Sequence, residues 1–188
     1  ASISHSGYAA YNARQTYFSS SQEEEYIQQR KASWTELEIK NFQIENQKEL
    51  EKPFVEKFDL VFEDQAGGAK IIYFQPFIFK WLERNPFQSS ERLYPVDFGA
   101  PTEIFHLISL EIPEGYSTED LPGNVALTLP NSGGRFLFNV SKLQGKLNIS
   151  SNLVLNKPVY TSDEYHYVRE LFARYIAAQQ TSLVLKKD

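Results

Sequence analysis

Cysteine and methionine are both absent from the 188 residues. Without Cys, the chain itself holds no thiol nucleophile, no thiolate metal site and no disulfide. Histidine is scarce. His5, His106 and His166 are the three, and no two of them sit at metal-ligand spacing. No Gly-x-Ser-x-Gly elbow, GxxxxGK[ST] phosphate loop or GxGxxG fingerprint occurs, so nucleophilic hydrolysis and nucleotide binding lack their usual parts. No apolar run approaches the roughly 20 residues a helix needs to cross a bilayer. Lys and Arg (19) are outnumbered by Asp and Glu (24) for a net charge of −5. That balance disfavours nucleic acid, where phosphate neutralisation needs clustered cations. The sequence does not open with Met, and no signal peptide is expected within it. The expectation is a processed product or a piece of a longer polypeptide, with Ala1–Ser6 the end of a strand whose partner is missing.

What is present suits a packed, sheet-rich body. Hydrophobic residues make up 41% and aromatics 14%, with 14 Phe and 11 Tyr, residue types that fill pleated surfaces. The first 33 residues read as a polar helical segment, with helices expected over 8–18 and 22–32. Tyr8, Tyr11, Arg14 and Tyr17 form a loose amphipathic face, and Ser19–Ser21 interrupt it. Ser21 and Glu24 have the spacing of a capping box, and Glu23–Glu25 suit a helix N-terminus. Residues 34–188 are expected to form one β-rich domain. Its strands begin with Leu37–Ile44, kinked near Lys40 and Asn41, and continue with Phe54–Phe62. A third strand, Lys70–Gln75, is expected to pair back across a turn at Asp64–Gly68.

Asn85–Gly99, NPFQSSERLYPVDFG, holds two prolines, three aromatics and mixed charge. Proline keeps the residue before it extended, so Asn85 and Tyr94 are not helical. Phe87, Tyr94 and Phe98 imply a loop packed on a core. Arg92 is expected to pin it through a carboxylate or backbone carbonyls. Glu103–Ile112 has apolar residues on both parities, which predicts a central strand covered on both sides. Val125–Leu129, Phe136–Val140 and Leu147–Leu155 predict a meander, with turns at Pro130–Gly134 and Gln144–Gly145. Thr161–Gln180 predicts the best helix, with Ser162 as N-cap and a stripe of Tyr165, Val168, Leu171, Phe172, Tyr175 and Ile176. Ser182–Leu185 adds an edge strand. The fold class is α+β: an antiparallel β-sandwich-like body with N-terminal helices and a C-terminal amphipathic helix.

His106 lies on an apolar strand face and reads as a satisfied core or interface histidine rather than a ligand. His166 borders the helix stripe, where packing is the default. Asn139 and Asn148 match the glycan sequon but fall inside strands. The candidate binding residues are Trp34, Tyr73 and Trp81, as a sugar-stacking platform, with Arg92 beside them as a charged group. For the three aromatics core packing is the competing explanation, and for Arg92 it is pinning of the loop. No catalytic residue, metal ligand or cofactor is indicated.

Four segments together carry a family resemblance: SGYAAYNAR (Ser6–Arg14), NPFQSSERLYPVDFG, LPGNVALTLPNSGGRFLF (Leu121–Phe138) and SDEYHYVRELFARYIAAQQTSLVLKK (Ser162–Lys187). Their order resembles the C-terminal region of bacterial cell-envelope transglutaminase-like proteins, which pair a papain-like core with a β-rich domain of unknown function. The resemblance implies a Cys, His and Asp catalytic set upstream of Ala1, which no residue here inherits. It also implies an exported, periplasmic or envelope-associated protein whose partner is the upstream core of the same polypeptide. The function expected is thus a non-catalytic accessory or interaction domain. The alternative is a module binding glycan or peptide through exposed aromatics. A free-standing acid–base hydrolase would need carboxylates about 5–10 Å apart across a cleft.

Overall fold

The computed structural model describes residues 1–32, 38–61, 70–118, 120–143 and 145–188. The chain falls into two compact units, Ala1–Gly67 and Gly68–Asp188. Among the described residues, several antiparallel sheets and three α-helices make it α+β, as expected.

In the first unit, strand β1 (Ser2–His5) leads into helices α1 (Gly7–Ser19) and α2 (Glu23–Ala32), then strands β2 (Glu38–Glu45) and β3 (Phe54–Val61). The sheet order is β1-β3-β2. Strand β1 therefore has its partner within this chain: Ser2–His5 face Lys57–Phe54 of β3, contrary to the expectation. The helices share a core with the sheet, where Ala10 and Tyr26 close over Phe54. The first unit thus takes in both helices and this sheet. The expected aromatic face of α1 is turned outward at Tyr8 and Tyr11, while Ala10 and Arg14 are buried. The kink in β2 is real: register shifts between Lys40 and Gln43, and Asn41 takes φ 51°, the left-handed region that Asn tolerates. Ser21 bonds to Glu25, not Glu24. Its backbone N–H and hydroxyl both donate to Oε2 of Glu25, at 2.8 and 2.6 Å.

The second unit comprises β4 (Ile71–Phe74), β5 (Val96–Asp97), β6 (Thr102–Glu111), β7 (Tyr116–Thr118), β8 (Val125–Thr128), β9 (Gly134–Leu143), β10 (Lys146–Leu155), β11 (Val159–Tyr160), α3 (Tyr165–Gln179) and β12 (Leu183–Lys187). The meander stands, in the order β6-β10-β9-β8. One face of this sheet carries Phe136, Phe138, Leu147, Ile149, Leu153 and Leu155, all buried. The whole expected stripe of α3 is buried in the same core. Ring contacts join the layers, as between Phe136 and Tyr175 with centroids 5.7 Å apart. Burying each such side chain stabilises by roughly 1.5–3 kcal/mol, which makes α3 integral to the unit.

Three expectations give way here. Strand β6 is an edge strand, not a central one, and Phe105 and Leu107 on its outer face are exposed. Apolar residues on both parities signalled double coverage, yet one face stays open. Strand β12 is the middle of the order β4-β12-β7, not an edge. Strand β4 pairs with β12 instead of hairpinning back; the turn expected at Asp64–Gly68 lies outside the described residues. Finally, Thr161 replaces Ser162 as the cap. Glu164 reaches back to the Thr161 N–H at 3.0 Å in a capping box, ahead of a 3₁₀ turn at Ser162–Glu164.

Candidate functional site

The Asn85–Gly99 loop is fixed by its own sequence. The Asn85 Oδ1 accepts the Phe87 N–H at 2.9 Å, and the Asn85 Nδ2 donates to the Arg169 carbonyl of α3 at 3.0 Å. Two aromatics plug the loop into α3. The Phe87 ring stands edge-on to Phe172 at 5.0 Å and to Tyr165 at 5.9 Å, while Phe98 stacks on Phe172 at 5.8 Å. The Tyr165 hydroxyl donates to the Ser89 carbonyl at 2.8 Å, and Val96–Asp97 pair with Val159–Tyr160. The expected anchoring by Phe87 and Phe98 is therefore present.

Tyr94 departs from it. Leu93 is 89% exposed and Tyr94 76% exposed, so the loop turns two large apolar side chains to water at its tip. Arg92 does pin the loop, donating from Nε to the Tyr94 carbonyl at 3.1 Å. That hydrogen bond makes Arg92 a brace of the loop tip. Beside the loop lies a cleft of about 250 Å³ lined by Asn85, Gln88, His166, Arg169 and Glu170 among others. Glu170 is paired with Arg174 at 2.7 Å. The cleft offers amides, an imidazole and a guanidinium: groups that hold a polar ligand, without a nucleophile–base pair.

Tyr73 on β4 is exposed. Trp81 lays its ring against Phe172 and Tyr175 of α3, at 5.9 and 6.5 Å, and is only partly open. Trp34 lies outside the described residues. No described contact joins Tyr73, Trp81 and Arg92. His106 packs edge-on to Phe77 at 5.5 Å, and burial pushes its pKa down. Its Nε2 and the Oγ of Ser151, its cross-strand neighbour, are buried without a protein partner among the described residues. His106 is thus a core histidine, though not a fully satisfied one. Among the described residues no group of three or more His, Cys, Asp or Glu gathers to hold a metal.

The first unit holds the strongest electrostatics, which sequence reading missed. Glu56 is fully buried. It takes both Arg30 Nε and Nη2, at 2.7 and 2.9 Å, the Tyr26 hydroxyl at 3.0 Å and the His5 Nε2 at 3.0 Å. Burial alone would push its carboxyl up. The hydrogen bonds from His5 and Arg30 and the Arg30 charge outweigh that and hold it at about 2. Arg14, also buried, donates to the carbonyls of Asn46, Gln47, Glu49 and Lys52 at 2.7–3.2 Å. A signal for Glu56 existed: Phe54, Glu56 and Phe58 share one strand parity, which puts a carboxylate on a core face. Next to Arg14, a cleft of about 640 Å³ opens between α1 and residues 50–53, with Tyr11, Phe18, Leu50 and Pro53 in its wall.

Residues 70–185 match the family described as a domain of unknown function with a solved structure, DUF3858. The chain belongs to this family. The DUF3858 region falls within the second unit and takes in the anchored loop, its cleft and α3. A crystal structure titled as a "putative protease" from Parabacteroides distasonis shares its fold, with a TM-score of 0.52 at 15% identity. The similarity covers 65% of this chain and 24% of that one, so the chain spans about a quarter of the length of the structure it matches. No curated protein matches it. No helix is long and apolar enough to cross a membrane among the described residues.

Proposed function

We propose that this chain is a non-catalytic docking module that seats on the catalytic core of a longer, exported polypeptide. The observation that carries the reading is the loop tip. A segment braced by Asn85, Phe87, Arg92 and Phe98 nevertheless presents Leu93 and Tyr94 to water. Rigid loops that expose large apolar groups lose little conformational entropy on binding, and such groups serve as anchors at interfaces. The fold's recurrence within a much longer chain described as a "putative protease" supports a place beside a catalytic domain. The resemblance of the four segments supports a transglutaminase-like, papain-like core and an envelope location.

The test is to express the chain and the upstream core separately and titrate one with the other by calorimetry. Binding is expected, weakened at least about tenfold by Leu93→Asp or Tyr94→Ala with melting unchanged. Absence of binding, or binding indifferent to both substitutions, would refute the reading. Glycan or peptide binding has one observation in its favour, the exposed ring of Tyr73. It ranks second because Trp81 spends part of its ring on α3.

A further inference from the structure

Among the described residues, strand β6 ends its sheet with a long, open edge. Which backbone groups face outward follows from two bonds. Ile112 N–H donates to the Gly145 carbonyl at 3.1 Å, extending the ladder in which Glu111 faces Lys146. Hydrogen-bonded pairs alternate along an antiparallel ladder, so the even-numbered residues of β6 bond to β10. The far side of the sheet sets the same phase. Val140 N–H goes to Asn124 Oδ1, which turns its partner Ile149 away from β9 and toward Ile108. Glu103, Phe105, Leu107, Ser109 and Glu111 therefore aim their N–H and C=O groups into the open edge.

Proteins blunt such edges with lysine, proline, bulges or short strands. Strand β6 uses none of these. Its ten residues pair with β10 without a register shift, and its sequence TEIFHLISLE contains no Lys and no Pro. Charge is confined to Glu103 and Glu111 near the two ends. Between them both faces are mostly apolar at the edge: Ile104, Ile108 and Leu110 are half-buried beside His106 on the core side, and Phe105 and Leu107 are exposed beside Ser109 on the other. A strand that completes this edge must be apolar on both faces, uncharged in the middle and about the same length.

Strand β6 is itself such a strand. Antiparallel pairing of two copies keeps core face with core face only when the two-fold axis passes through a residue position. Centred on His106, the pairing sets Phe105 against the partner's Leu107 twice, Ile104 against Ile108, and Glu103 against Ser109. Centred one residue on, at Leu107, it sets Glu103 against Glu111 twice, and like charges directly opposite destabilise a sheet. Burial pushes the His106 pKa down, which disfavours charge where the two imidazoles would meet in the His106-centred register. We infer that the chain forms a two-fold dimer by antiparallel pairing of β6 with β6, centred on His106, joining two four-stranded sheets into one.

Sedimentation equilibrium of the full chain across the micromolar range tests this. The expected mass is twice 21.7 kDa. Leu107→Lys adds the edge lysine that natural sheets use. Because Leu107 is 69% exposed, the fold survives, checked by circular dichroism, while the dimer weakens by at least about tenfold. Tyr94→Ala leaves the dimer intact, which separates this interface from the loop proposed to dock on a core. Register is read by oxidation, since the chain has no native Cys. A mixture of Phe105→Cys and Leu107→Cys chains is expected to form a mixed disulfide, and neither variant alone to link with itself. A monomer throughout the range, or a dimer indifferent to Leu107→Lys, overturns the proposal. Self-linking by Leu107→Cys alone overturns the His106-centred register.

Discussion

Acid should loosen the Ala1–Gly67 unit chiefly through one buried side chain, Glu56. Its carboxyl is held at about 2 against an ordinary value of 4.5. A carboxyl depressed on folding stabilises the native state fully above its unfolded pKa, and that stabilisation disappears as pH falls through the folded value. The window therefore runs from about pH 4.5 down to about pH 2. The shift corresponds to about 3 kcal/mol. Glu56→Gln removes the charge but keeps the shape, and it leaves Arg30 facing a neutral amide. The variant should lie about 3 kcal/mol below the wild type at pH 7, with the gap closing as the wild-type carboxyl protonates. Urea unfolding followed by NMR amide signals of Ser2–His5 and Phe54–Val61 reads this unit specifically. A gap that stayed constant between pH 7 and pH 2 would refute the account, because it would show that Glu56 acts through packing and not through charge.

Arg14→Ala strips hydrogen bonds from four loop carbonyls. It should cost about 2–4 kcal/mol and accelerate amide exchange across residues 46–53, read by exchange mass spectrometry. Gly134→Ala would place a Cβ well inside contact distance of the Val154 carbonyl oxygen on β10. Backbone cannot swing aside as a side chain can, so thermal denaturation should show a loss of about 2 kcal/mol or more.

Much of the second unit was legible because its periods are clean. The stripe of α3 and the alternation in β9 and β10 specify both element and buried face, and burial follows them residue by residue. What failed was partner choice. Ile104–Ile112 announces a strand, but nothing in a run with apolar residues on both parities says whether a neighbour lies on each side. Leu183–Lys187 announces a strand, yet its central position depends on pairing with segments far back in the chain. The loop shows the same limit within one motif. Phe87, Tyr94 and Phe98 are alike in composition. Only the tertiary contacts of Asn85 with α3 and of Val96 with β11 decide that two rings go in and one stays out.

Strand β12 has a consequence for how the protein is made. It bridges β4 and β7, and its pairing with Phe74 spans over a hundred residues of intervening chain. During synthesis β4 leaves the ribosome long before its neighbour exists, so its main-chain donors and acceptors wait unmatched. Topologies with such distant pairings fold slowly, because the entropy of closing a long loop comes before any contact rewards it. A nascent chain stalled before Leu183 would carry two orphaned strands, a natural target for chaperones that shield exposed β-structure until elongation catches up.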